Sequence, residues 1–402
     1  MRRMEHTTGS RVADLIRLAS MLLLSVLTTL AVVSCGGSGD EPGGDPTPVP
    51  NEPMPIVFSG SLSEGESESH ARTRTTTNPL SATHQAFHVW AYKNPASGST
   101  ETVMRDYTVN YVSGSAGTTT SNSSGWEYVN QGTQQSIKYW DFKAEDYRFF
   151  AWAGSGVTTS YSSSEDADHP CVRLSFPVDV SSTISPSSAT PYLRQDPVTL
   201  LMTSTTPLYS KLWYKAKAAL PAQKNLPVTL QFLQPYVKVR FLFRQSESAE
   251  VVFTLSDDMS FGPTDDNVKI YIKGSFQVTY PLTGGTSETW KVTHASPGTK
   301  GTDYLTAFTQ HYYEAASDDE DQKKWYVVLP AVDQGPYTLS VKVNNDPRSV
   351  VVPAQYMNWQ PGYEYTYVFK ITDPGGVELD GVQVGFSPWT EISGKTKDIF
   401  NW

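Results

Sequence analysis

Residues 226–244 read LPVTLQFLQPYVKVRFLFR. Val228, Leu230 and Phe232 alternate with Thr229 and Gln231, so the three apolar side chains share one face of a strand. Past Pro235 the alternation resumes, with Val237, Val239, Phe241 and Phe243 inward and Lys238 and Arg240 outward. Proline cannot donate to a central ladder, so Pro235 marks a bend between two strand segments. The same period of two recurs along the chain. It predicts strands over 54–62, 86–93, 106–112, 146–154, 171–180, 268–280, 289–294, 359–372 and 382–392. Residues 324–332 and 337–343, separated by Gln334-Gly335-Pro336, predict a hairpin. Aromatics make up 12% of the chain, with 22 Tyr and 10 Trp, a composition that suits a pleated, half-buried surface. Short strands at a spacing of about ten residues, split by Gly and Pro turns, predict an all-β protein of two β-sandwiches. The pattern resets near Pro221, which predicts domains over 54–225 and 226–402.

The N-terminal segment has different chemistry. Met21 to Cys35 reads MLLLSVLTTLAVVSC, preceded by Arg2, Arg3, Arg11 and Arg17. The apolar run is about a dozen residues, short of the ~20 that a membrane-spanning helix needs. A basic start, a short apolar core and a small residue, Ser34, describe a secretory signal peptide over 1–34. The Val32-Val33-Ser34-Cys35 tetrad resembles a lipobox, which predicts that Cys35 takes a lipid and becomes the new N-terminus. Residues 35–53 are rich in Gly and Pro and predict a tether that holds a folded body off a membrane.

Composition excludes several function classes. A net charge of −10 argues against nucleic acid as a partner, because that role needs a basic footprint. Lipidation at Cys35 leaves Cys171 as the one other cysteine of two, so no intrachain disulfide can form. No H-E-x-x-H, P-loop or G-x-S-x-G motif occurs, and no His pair has zinc-site spacing on a helix. The acidic runs Asp257-Asp258, Asp265-Asp266 and Asp318 to Asp321 match no calcium-loop spacing and read as solvated loops. No enzyme activity, metal or cofactor is expected. Trp90, Trp126, Trp140, Trp152 and Trp213 read as core and cross-strand residues before they read as sugar platforms.

Several phrases then fall in one order. They are ARTRTTTN (71–78) before AFHVWAYK (86–93), YRFFAWAG, DPVTLLMTS, PVTLQFLQPYVKVRF, YVVLPA, MNWQPGYEYTYVFKI and VQVGFSPWTE. Together with the lipoprotein signal, this series resembles the fimbrillin family, the subunits of type V pili. Where family members often carry a His, the chain reads Phe232-Leu233-Gln234-Pro235. The resemblance implies two tandem transthyretin-like sandwiches. It also implies export to the outer membrane as a lipoprotein and removal of the first strand by an arginine-specific protease at Arg72 or Arg74. Polymerisation with other fimbrial subunits would follow, by strand donation. Val382, Val384 and Phe386 share one face of the last strand region, and Trp389, Ile392, Ile399, Phe400 and Trp402 add apolar weight behind them. This region is the expected donor for a groove vacated by Ile56, Phe58 and Leu62. A tip or anchor component that binds a host or bacterial surface ligand is a variant of the same expectation. A surface glycan-binding lipoprotein is the alternative, and it calls for several exposed, coplanar Trp or Tyr rings.

Overall fold

The computed structural model describes residues 53–62, 80–112, 119–129, 134–162, 170–181, 184–185, 192–193, 202–245, 255–294, 298, 303–312, 326–373 and 375–386. Its strands in chain order begin with β1 (Phe58–Leu62), β2 (Ala86–Asn94), β3 (Glu101–Tyr111), β4 (Trp126–Glu127), β5 (Asp146–Ala153), β6 (Thr158–Ser162) and β7 (Cys171–Asp179). The pair β8 (Ile184–Ser185) and β9 (Tyr192–Leu193) precedes β10 (Leu208–Ser210), β11 (Trp213–Ala216), β12 (Val228–Leu233) and β13 (Val237–Gln245). Next come β14 (Leu255–Pro263), β15 (Ile270–Tyr271), β16 (Lys273–Pro281), β17 (Thr289–Thr293), β18 (Tyr304–Leu305) and β19 (Phe308–Tyr312). The series ends with β20 (Tyr326–Val328), β21 (Tyr337–Val343), β22 (Asp346–Val352), β23 (Tyr363–Thr372) and β24 (Gly376–Phe386). The architecture is all-β, built as layered sheets.

Four sheets carry the fold. Sheet I runs β1-β12-β10-β5-β2-β3-β4, with β11 also beside β5; sheet II runs β17-β16-β7-β6. Sheet III runs β20-β13-β23-β24, and sheet IV runs β19-β14-β21-β22. Sheet II lies on sheet I through Phe150 and Tyr280, stacked with centroids 4.2 Å apart, and through Tyr209 against Phe276. Sheets III and IV close over Phe241, Phe261, Phe308 and Tyr367, whose rings meet at 4.8–6.2 Å. Beside this core, the Trp359 indole N–H donates to Tyr367 Oη at 2.9 Å, so both buried polar atoms are satisfied.

The chain passes from sheet I to sheet III at Gln234-Pro235-Tyr236, where the sequence places its bend. β12 alternates as expected, with Val228, Leu230 and Phe232 buried, and it pairs with β1 and β10. Residues 228–233 therefore belong to the sheet that holds β1. β16 and β17 likewise come from the C-terminal half of the chain and sit in sheet II, where β16 pairs with β7 from Lys273↔Asp179 to Pro281↔Cys171. The described residues of Pro53–Trp402 fall in one compact unit.

The expected hairpin over 324–343 does not form. β20 pairs with β13 in sheet III, and β21 pairs with β14 and β22 in sheet IV. The Gln334-Gly335-Pro336 segment is thus a crossing between layers, with β20 taken up by β13 and β21 by β14. The true hairpin is β21–β22, closed by Asn344 (φ 50°) and Asn345 (φ 68°). Two successive positive φ values match a two-residue hairpin turn of the mirror-image type, and Asn tolerates them better than branched residues do. Asn345→Val is expected to destabilise the protein by about 1–2 kcal/mol in a denaturant melt, because a β-branched side chain clashes there. Asn345→Gly should leave the midpoint unchanged or raise it.

Candidate functional site: the first strand and its cradle

β1 is an edge strand that buries its side chains like a central one. Alternate residues Ile56, Phe58 and Leu62 are 0%, 0% and 5% exposed. Gly60, between Phe58 and Leu62 on that face, lies under Leu80, and a Cβ there would stand 3.0 Å from Leu80 Cδ2 and 3.5 Å from the Phe232 ring. The space is tight, and a larger residue there would require the Leu80 side chain to shift. Phe58 sits edge-on to Phe87, Tyr128 and Phe149, with centroids 5.8–6.3 Å away. The cradle is therefore made by β2, β5, β12 and the segment after β4.

The backbone of the segment is held on both sides. β1 runs parallel to β12, from Phe58↔Val228 to Leu62↔Phe232, and Val228 N–H donates to Val57 O at 2.8 Å. On the other side, Ile56 N–H donates to Lys138 O, and Trp140 N–H donates to Met54 O. Tyr128 Oη donates to Ile56 O at 3.0 Å, and burial pushes this phenol up to about 12. Beyond Ile56 the outer edge of β1 is not paired with any named strand. Each of the three apolar side chains is worth about 1.5–3 kcal/mol of burial. Stripping β1 away would bare Phe87, Phe149 and Phe232 together with the backbone of β12.

The roof of the cradle is pinned by a histidine. Leu80 opens a short turn that ends at Thr83 and His84. His84 is buried, its Nε2 lies 2.8 Å from Thr206 O, and its Nδ1 lies 2.9 Å from Thr83 Oγ1. A carbonyl only accepts, so Nε2 carries the proton and Nδ1 takes the Thr83 hydroxyl. Burial lowers the pKa of His84, partly offset by the bond to Thr206.

The expected site residues fall in two groups. Cys35, Arg72, Arg74, Trp389, Ile399 and Trp402 lie outside the described residues. Val382, Val384 and Phe386 lie on β24, at the free edge of sheet III, opposite Tyr367, Tyr365 and Tyr363. Val382 is half-buried, whereas Val384 is 56% exposed although its partner Tyr365 is buried. Trp90, Trp126, Trp140 and Trp152 are buried, and Trp213 is half-buried with its ring against Trp140 and Phe149, so these five do not form an exposed coplanar platform for a sugar ring. Among the described residues no cluster of three or more His, Cys, Asp or Glu side chains could hold a metal ion. His88 pairs with Asp106 and stacks on Trp152, away from His84.

No protein-family model matches the chain, and no curated protein matches it. Solved structures do align with it along most of its length. A fimbrial protein from Bacteroides vulgatus is 12% identical, covering 83% of this chain and 99% of its own, with a TM-score of 0.39. A fimbrial assembly protein from Parabacteroides distasonis is 12% identical over 82% of this chain and 99% of its own, at a TM-score of 0.29. A C-terminally truncated tip fimbrial protein from Porphyromonas gingivalis is 7% identical over 76% of this chain and 95% of its own, at 0.31.

Two expectations follow from the cradle. Phe58→Ala should destabilise the full chain by about 3–5 kcal/mol, since a fully buried ring leaves a cavity. Ser59→Ala, at the exposed Ser59–Thr229 contact, should change stability by no more than about 0.5 kcal/mol. The second expectation concerns pH. His84 has a folded pKa below its ordinary value of 6.5, so the unfolded chain binds more protons just below that value. Stability should therefore fall as pH drops from 6.5 through the folded pKa, and level off below it. His294 is shifted in the same direction by burial and adds to the slope. Denaturant midpoints measured across this range should show a shallower slope in His84→Gln than in the unaltered chain.

Proposed function

We propose that the protein is a structural subunit of a cell-surface fimbria, exported as a lipoprotein and activated by loss of its first strand. In this reading Cys35 carries the lipid that places the precursor in the outer membrane. An arginine-specific protease cuts at Arg72 or Arg74. The released segment takes Ile56, Phe58 and Leu62 out of their cradle. A strand from another subunit then fills it, with the region from Val382, Val384 and Phe386 through Trp389, Ile399 and Trp402 as donor. Head-to-tail contacts of this kind do not close on themselves and so extend into a filament.

One observation carries the reading. An edge strand near the start of the described residues fills an aromatic cradle with alternate side chains, and two arginines in a polar, Thr-rich stretch follow it in sequence. An edge strand can leave without breaking a ladder on its far side, and the bared cradle would demand a replacement. The sequence resemblance to fimbrillins supplies the biological setting. In the same reading the chain carries two domains, 54–225 and 226–402.

The test is the N-terminus of the mature surface protein, read by mass spectrometry alongside filament formation. The expected N-terminus follows Arg72 or Arg74, and an Arg72→Ala/Arg74→Ala double variant should stay as a lipidated monomer. Filaments formed by that double variant, or a mature protein that still begins at Cys35, would overturn the processing step.

A further inference from the structure

Between β14 and β19, the strands β15 to β18 form an excursion from sheets III and IV. The excursion has a narrow root, where β15 pairs with β18 (Ile270↔Leu305, Tyr271↔Tyr304). Beyond the root it extends as the β16–β17 hairpin, joined from Ser275↔Thr293 to Thr279↔Thr289. This hairpin is half of sheet II, and sheet II is the cover of sheet I. Tyr280 stacks on Phe150 and donates its hydroxyl to Ser210 O at 2.7 Å; Phe276 meets Tyr209.

Polar contacts fasten the hairpin at its tip. Arg148, 2% exposed, donates to Pro281 O and Gly285 O, and its guanidinium is paired with Asp146. Asn94 Nδ2 donates to Leu282 O, Leu282 N–H donates to Pro170 O, and Leu212 N–H donates to Glu288 Oε2. Every one of these partners belongs to the first sandwich. Without the hairpin, Arg148 would be a charge with two of its acceptors missing, and Phe150 and Tyr209 would face water.

The root is less completely satisfied than the tip. His294 stacks on Tyr271 at 3.8 Å, and its Nδ1 is buried without a hydrogen-bond partner. A small cavity lies beside this pair, lined also by Gln334, Tyr337 and Trp359.

We infer that β15, β16, β17 and β18 form a strap by which the second sandwich holds the first one closed, and that the β16–β17 hairpin loosens as a unit together with the strands it covers. The wall that it braces is β5. Phe150 faces the strap on one side, and Phe149 faces Phe58 and the cradle on the other. The shape of the cradle thus depends on a hairpin from the far half of the chain, whether or not the first strand is ever exchanged.

Hydrogen exchange on the full chain, read by mass spectrometry in the unaltered protein and in Tyr280→Ala, tests this. In Tyr280→Ala, exchange in 273–293, 171–179 and 146–153 is expected to rise by about tenfold or more, while 363–372 in sheet III keeps its rate. Should Tyr280→Ala fail to fold, Glu288→Gln weakens a tip contact without leaving a cavity and should give the same pattern with smaller increases. Unchanged protection of 146–153 beside a loosened 273–293 would show that the strap braces nothing. Equal loosening of 363–372 would show that the strap is not a separate unit. Either result overturns the inference.

Discussion

Strand β5 has water on neither face from Tyr147 to Ala153, where every residue is buried. Its odd positions, Tyr147, Phe149 and Ala151, look into the cradle, and Arg148, Phe150 and Trp152 look toward sheet II. A strand wet on neither face needs two covering layers, and neither is supplied by its immediate neighbours in sequence alone. One layer includes β1 and the segment that carries Trp126, Tyr128 and Trp140. The other is the β7–β16 pair, half of which arrives from beyond residue 270. The buried Arg148 ties the two demands together, because its position on β5 is fixed by the cradle side and its acceptors by the strap side.

This dependence explains why the two halves of the chain are interleaved. A sandwich whose covering sheet is split between β6–β7 and β16–β17 gains its second pair only after much of the chain exists. Non-local pairing of this kind forms late, because the loop-closure entropy must be met before the contacts form. The burial that rewards closure is large: Phe276, Val278 and Tyr280 of β16 are all fully buried.

The sequence was most informative where alternation is strict. β12 and β13 lie where their period of two puts them, and the bend at Pro235 is the true crossing between sheets; β23, by contrast, is buried at every position from Tyr365 to Phe369. The continuous apolar run YRFFAWA read correctly as a buried strand. What covers that run was not legible, since an alternating strand such as β16 carries no mark of the sheet that it joins. The change of pattern near Pro221 marks a boundary near residue 225, and the chain passes from sheet I to sheet III after Leu233. The Gly335-Pro336 pair resembled a hairpin turn but serves a crossing, and the Asn344-Asn345 pair, which does close a hairpin, went unread. In the cradle, Ile56, Phe58 and Leu62 were legible as one apolar face. Phe87, Tyr128 and Phe149 were legible as strand aromatics but not as their partners.

The proposed donor region is uneven in what donation would require of it. Val382 and Val384 belong to a ladder with β23 that runs from Tyr363↔Phe386 to Thr372↔Gly376, and they lie on the face shared with Tyr367 and Tyr365. A donor drawn from β24 would have to surrender those bonds and uncover Tyr367, which is fully buried and bonded to Trp359. Parallel pairing, as between β1 and β12, is slightly weaker per residue than antiparallel pairing. The side chains in the cradle must therefore supply much of the holding force.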